Sequence, residues 1–204
     1  MLSRADAQVR KNGRVTRIAV VGGGPAGYEA ALVAVQLGAE VTLVDRDGVG
    51  GMCVLADCVP SKTLIATSDA LTQLGSADHV GVRVAEGGVH ADLAEVNQRV
   101  KSLALAQSAD ISARLVREGV TVLRGHARLL PGRRVQVDNE VLATDVVLLA
   151  TGATPRVLAG AEPDGERILD WRQLYDLPAL PEHLVVVGSG VTGAEFASAY
   201  KALG

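Results

Sequence analysis

The sequence predicts an α/β fold on a parallel, doubly wound sheet, and three observations carry that reading. First, the apolar run Ile18-Ala19-Val20-Val21 ends in three glycines, and an alanine-rich helical stretch and a second apolar run, Glu40–Asp45, follow it. Strand, glycine turn, helix and strand in under thirty residues make one βαβ unit. Second, the same signature returns later in the chain. Laid over 186–204, nine of nineteen positions of 20–38 are identical, including Gly22, Gly24 and Gly27 with Gly188, Gly190 and Gly193. Third, 48% hydrophobic and 21% charged residues over 204 positions suit one buried-sheet core and exclude disorder, collagen and coiled coil.

The elements follow in order. Arg17–Val21 is a buried strand, because its apolar residues run continuously instead of alternating. A small-residue helix over 25–37 is stopped by Gly38, and Glu40–Asp45 is the next strand. Pro60 and the run Thr63-Leu64-Ile65-Ala66 predict a helix toward Leu74, then a loop holding Gly75, Gly81, Gly87 and Gly88. Leu93, Val96, Val100, Leu103, Ile111 and Leu115 lie mostly three or four apart, an amphipathic helix that Gly119 ends. Short strands are expected at 120–123, 127–130, 133–137 and 140–143. The Pro131-Gly132 and Asp138-Asn139 pairs supply turns, so a small antiparallel layer is predicted. Residues 145–150 read as another buried strand, 153–183 as a connection, and 184–187 as a strand opening the second glycine unit. That second unit is cut off where the first continues into Glu40–Asp45, so the sequence reads as truncated.

A net charge of −3 gives no electrostatic reason to bind nucleic acid, and five aromatic residues (Tyr28, Trp171, Tyr175, Phe196, Tyr200) leave little for base stacking. No apolar run approaches the roughly eighteen residues that cross a bilayer, so a soluble, cytoplasmic protein is expected. The first sixteen residues carry Arg4, Arg10, Lys11 and Arg14 against Asp6. They read as a flexible tail, with an organellar transit peptide as the alternative.

The chemistry concentrates in three places. In Gly22-x-Gly24-x-x-Gly27, the first glycine permits the tight turn, the second lets backbone approach a pyrophosphate, and the third lets helix pack on strand. The helix opening at Pro25 and Ala26 offers its N-terminus to the phosphates, and Asp45 is placed to accept from ribose hydroxyls. This unit alone does not choose between FAD and NAD. Gly188-x-Gly190-x-x-Gly193 with Glu195 is a second nest. Its NADH-versus-NADPH determinant would lie past Gly204.

The third place is Gly50-Gly51-Met52-Cys53-Val54-Leu55-Ala56-Asp57-Cys58-Val59-Pro60-Ser61-Lys62. Without an export signal, two cysteines five apart read as redox-active, the alternative being two buried small hydrophobes. A helix start near Cys58 and the charge of Lys62 favour a thiolate. Other chemistries fail. Gly188-Ser189-Gly190 is not a nucleophile elbow, and Ser61-Lys62-Thr63 lacks the glycine a phosphate loop needs. His79, His90, His126 and His183 have no ligand spacing and are expected on the surface, and no metal is expected. Arg124, Arg128, Arg133 and Arg134 read as a solvated hairpin face.

The cysteine segment, both nests and Leu149-Ala150-Thr151-Gly152 together resemble the class I pyridine nucleotide–disulfide oxidoreductases over residues 17–204. The resemblance implies a Rossmann-type FAD domain with a parallel sheet and a small antiparallel layer, plus the start of a second Rossmann, NAD(P) domain. The implied division is a tail at 1–16, the FAD-binding segment at 17–152, a connection at 153–183 and the truncated NAD(P) unit at 184–204. It implies that Gly22, Gly24, Pro25, Ala26, Gly27 and Asp45 bind FAD. Gly50, Gly51, Lys62, Thr151 and Gly152 would lie near it, and Gly188, Gly190, Gly193 and Glu195 would serve NAD(P)H. Cys53 is then the outer thiol that meets substrate and Cys58 the inner thiol facing the flavin. The implied full-length parent is a homodimer passing electrons to a small-molecule acceptor.

One position departs from the family pattern. Asp57 replaces the glycine before the inner cysteine, as in a branch resembling NAD(P)H:quinone reductases, although Cys53 is kept. The carboxylate should raise the Cys58 pKa unless Lys62 or the helix dipole compensates, and its bulk should stiffen the loop. Both effects favour a quinone over a disulfide such as lipoamide. The alternatives to this enzyme are a flavin-holding fragment that does not turn over and a decayed site with no cofactor. The 204 residues alone are expected to be inactive.

Overall fold

The computed structural model describes residues 10–11, 13–83 and 88–204. Most of the segment read as a tail, and Gly87, lie outside the described residues. Arg10–Lys11 (β1) and Arg14–Val15 (β2) pair as a two-stranded antiparallel ladder. The chain divides into two compact units, Met1–Leu55 with Leu105–Thr154, and Ala56–Ala104 with Pro155–Gly204.

In the first unit, β3 (Arg17–Val21), α1 (Pro25–Gln36) and β4 (Glu40–Asp45) form the expected βαβ unit. The short helix α2 (Gly51–Leu55) follows, and the second half of α4 (Leu93–Arg117) also belongs here. Strands β5 (Thr121–Arg124) and β9 (Val146–Leu149) complete a four-stranded sheet in the order β5-β4-β3-β9, parallel throughout. The run at 120–123 thus joins the parallel sheet, beside the separate antiparallel meander of β6 (Ala127–Leu130), β7 (Arg134–Val137) and β8 (Glu140–Ala143).

Alternation of side chains across the sheet explains the layering. Val20, Val41 and Leu43 bury one face against Ala31 and Leu32 of α1 and Leu115 of α4. Ala19 and Val44 bury the other against Val135 and Val137 of the meander. Both faces of the central strands are covered, which is why their sequences run apolar without a polar repeat.

The second unit holds α3 (Cys58–Gly75), the first half of α4, a 3₁₀ turn at Gln173–Asp176 and α5 (Val191–Leu203). Leu64, Val100, Leu174, Tyr175, Phe196 and Tyr200 form its core. The connection 153–183 therefore supplies core residues, with Asn97 Nδ2 donating to the Leu177 carbonyl at 2.9 Å.

The strand expected at 184–187 does not form. Val185 and Val187 are 72% and 81% exposed, and no described strand pairs with the segment. A parallel strand depends on neighbours along its hydrogen-bonding edges, and without them an apolar run stays extended coil.

Candidate functional site: a glycine nest and a thiol-bearing helix

Two glycines of the first nest, Gly22 and Gly27, have steric reasons. Gly22 has φ +105°, and a Cβ there would lie 2.2 Å from the Ala150 carbonyl oxygen. A Cβ on Gly27 would lie 1.8 Å from the Gly22 oxygen. Gly24 differs, for a Cβ there would meet nothing within 4 Å. Gly22 and Gly27 are thus demanded by protein packing, and Gly24 by no protein atom. Open backbone at that glycine, ahead of an α1 N-terminus that no side chain caps, fits a pyrophosphate laid across it. Pro25 sits at the first helical position, where its missing N–H costs nothing. The exposed Ala26 follows it in the same turn.

Asp45, at the end of β4, is tied into the same nest. Its Oδ2 accepts from the Gly23 N–H at 2.6 Å, and Oδ1 accepts from the N–H groups of Asp47 and Gly48 at 2.9 and 2.8 Å. Two carboxylate oxygens carry about four acceptor sites, so capacity remains for a ribose hydroxyl. The turn at Gly50 (φ +103°) and Gly51 (φ +56°) docks here as well. The Gly50 N–H donates to the Gly23 oxygen at 2.7 Å, and a Cβ on Gly51 would lie 2.8 Å from the Gly24 Cα. The Ala150 N–H donates to the Val21 oxygen at 2.8 Å, and a Cβ on Gly22 would lie 3.0 Å from the Thr151 nitrogen, so Thr151 stands at the nest. The first unit therefore gathers Gly22, Gly24, Gly27, Asp45, Gly50, Gly51 and Thr151 in one place. Gly23 was not among the candidates, and the triple-glycine run was its signal. Cys53 lies half-buried in α2 of this unit.

In the second unit the repeat is reproduced in backbone. Gly188 has φ +123°, and a Cβ on Gly193 would lie 2.3 Å from the Gly188 oxygen, the same contact Gly27 makes with Gly22. Gly190 caps α5 at φ −72°, ψ 177°, beside −68°, −179° for Gly24, and a Cβ on it would also meet nothing. Glu195, read as part of this nest, turns to α3. Its Oε1 accepts from Lys62 Nζ at 2.6 Å.

That bond with Lys62 holds the Glu195 carboxyl below its ordinary pKa, and a hydrogen bond from buried Ser61 reinforces it. The same bond to Glu195 raises Lys62, with smaller contributions from Cys58 and Asp57. Ser61 lies within the cysteine segment, and its hydroxyl's partner on α5 is distant in sequence, so the segment alone gives no signal of this bond. Cys58 opens α3 as an exposed free thiol. Asp57 precedes it without a side-chain cap, its carbonyl accepting from the Ser61 N–H at 2.7 Å. The four histidines and the four hairpin arginines are exposed. Among the described residues, no group of histidine, cysteine and acid could hold a metal.

The fold and first nest define a dinucleotide-binding α/β protein. The chain matches the pyridine nucleotide-disulphide oxidoreductase family over residues 16–204, and it belongs to that family. It is 53% identical over 204 residues to an NAD(P)H dehydrogenase (quinone) of Mycobacterium tuberculosis, covering 93% of this chain and 41% of that protein. It is 37% identical over 192 residues to a dihydrolipoyl dehydrogenase of Chlorobaculum tepidum, covering 92% and 40%. The crystal structure of LpdA from M. tuberculosis superposes with a TM-score of 0.84 at 53% identity, over 93% of this chain and 43% of that one. The chain spans about two fifths of the curated relatives it matches.

Proposed function

We propose that this chain is the FAD-holding part of an NAD(P)H-dependent oxidoreductase that delivers electrons to a quinone, or to a disulfide such as lipoamide. The observation that carries it is Gly24, whose backbone lies open where Gly22, Gly27, Asp45, Gly50 and Gly51 converge. In this reading 17–152 is the FAD-binding segment, 153–183 a connection, and 184–204 the opening of the NAD(P) unit. Gly188, Gly190 and Gly193 serve that second nucleotide.

The chain's own residues divide the work. Gly24 and the α1 N-terminus take the phosphates, Asp45 accepts from ribose hydroxyls, and Gly50, Gly51, Thr151 and Gly152 line the approach. Bound FAD supplies two-electron acceptance from NAD(P)H. Lys62, held by Glu195, keeps a positive charge one turn from Cys58. Cys53 and Cys58 form the redox pair. Their disulfide takes up two electrons and two protons to give two thiols, and exchange with a disulfide acceptor returns them. The parent is a homodimer in the cytoplasm. Among the described residues, no helix is long and apolar enough to cross a membrane.

The acceptor is the quinone in preference to lipoamide. The 53% identical relative is a quinone dehydrogenase and the 37% identical one a dihydrolipoyl dehydrogenase, and Asp57 puts a carboxylate beside the inner thiol. The test gives the purified full-length parent NAD(P)H with a quinone or with lipoamide. Quinone should be reduced faster, and the protein should release FAD on denaturation. Faster lipoamide reduction, abolished by Cys53→Ser, contradicts the quinone assignment. A colourless protein with no releasable flavin contradicts the whole reading.

A further inference from the structure

We infer that Ser108 is a positioning residue for the dinucleotide nest: from α4 its hydroxyl fixes the Val49–Gly50 peptide that ties the Gly50–Gly51 turn to the glycines. Ser108 Oγ donates to the Val49 carbonyl at 2.5 Å. The N–H of that same peptide, on Gly50, donates to the Gly23 oxygen at 2.7 Å. One peptide is therefore gripped from both sides, by α4 through its carbonyl and by the nest through its amide.

The grip adds to what else holds the turn: the Gly51 N–H on the Gly48 oxygen at 3.4 Å, the Val54 N–H on the Gly50 oxygen at 3.3 Å and the buried Val49 side chain. None of these fixes the carbonyl of the 49–50 peptide. Gly50 and Gly51 both have positive φ and no side chains, so their accessible backbone space is wide. Gly51 sits directly on Gly24, within 2.8 Å of its Cα for a hypothetical Cβ. Rotation of the 49–50 peptide would break both bonds and move Gly51 on the glycine whose open side faces the phosphates. A serine inside a helix commonly bonds back to the carbonyl four residues earlier, as Ser102 does to Gln98 at 2.8 Å. Ser108 reaches a loop 59 residues away in sequence instead. The open side of Gly48 also faces it, a Cβ there lying 3.8 Å from Ser108 Oγ. Ser108 acts through this loop on the site's shape and does not itself meet the ligand.

This inference rests on the dinucleotide reading above, and the test separates the two. FAD is titrated into the 204-residue chain by flavin fluorescence, and amide exchange of Gly50 is followed by NMR without FAD. Ser108→Ala should weaken FAD binding about 5- to 10-fold, the loss of one neutral hydrogen bond. It should also speed Gly50 exchange by a similar factor, and Ser108→Thr, which keeps the donor, should restore both. FAD affinity within twofold of the parent, or a loss that Ser108→Thr does not restore, overturns the inference. If the parent chain binds no FAD, the dinucleotide reading fails, and unchanged Gly50 exchange in Ser108→Ala overturns the clamp independently. Should Ser108→Ala fail to fold, Ser108→Cys takes its place. It keeps the volume with a weaker donor and is judged by the same two readouts.

Discussion

At the scale of single residues, the three spaced glycines of the first nest answer to different forces, and substitution separates them. Gly27→Ala would drive a methyl into the Gly22 carbonyl, a backbone atom that cannot yield, and should cost about 3 kcal/mol or more of stability. Gly24→Ala meets no protein atom and has an ordinary φ of −68°, so it should fold within about 0.5 kcal/mol of the parent. It should nonetheless weaken FAD on the order of tenfold or more, because its methyl would fill the open side that the proposed reading gives to the pyrophosphate. Urea melts and a flavin titration on the two variants check both halves. A Gly24→Ala chain that is as unstable as Gly27→Ala, or that binds FAD like the parent, contradicts the division. The spacing of these glycines was legible in the sequence because packing and ligand both act on local backbone. Ser108 was not legible, since its partner is distant in sequence and serine inside an amphipathic helix has a bland local explanation.

At the scale of elements, the Lys62–Glu195 bond joins α3 to α5 inside the second unit. The bond to Lys62 depresses the Glu195 pKa, so its contribution is fully present above the unfolded carboxylate value of about 4.3 and is lost as pH falls through the lower folded value. Lys62, raised by the same bond, keeps its share below its unfolded value of about 10.4 and loses it as pH rises through the higher folded one. Lys62 is largely solvent-exposed, so the pair should contribute only about 0.2–1 kcal/mol. Denaturation of the parent and of Glu195→Gln should differ by that amount at pH 7 and converge only as pH falls through the lowered folded value. A difference that persists undiminished in acid would show that Glu195 acts there other than as a carboxylate. The strands Arg17–Val21, Glu40–Asp45, Ala127–Leu130 and Glu140–Ala143 were readable to the residue, since their apolar runs are bounded by glycine, proline or asparagine turns. Helix α2 was not, being five residues without a periodic stripe. The run at 184–187 failed for the opposite reason: its pattern is strand-like, but a strand exists only with neighbours.

At the scale of the whole molecule, the glycine repeat was visible in sequence, and its two copies share the same nest backbone in different units. The repeat could not show what surrounds each copy. The first nest meets Asp45, the Gly50–Gly51 turn and the end of β9, whereas Glu195 of the second is engaged with Lys62 of α3. The account therefore predicts that the two nests respond differently to a flavin dinucleotide. The most direct measurement is an amide shift map of the ¹⁵N-labelled chain titrated with FAD. Saturable shifts should appear at Gly22, Gly23, Gly24, Gly27, Asp45, Gly50 and Gly51, with Gly188, Gly190 and Gly193 unmoved. No shift at the first group, or shifts confined to the second, would contradict the assignment of the first nest to FAD.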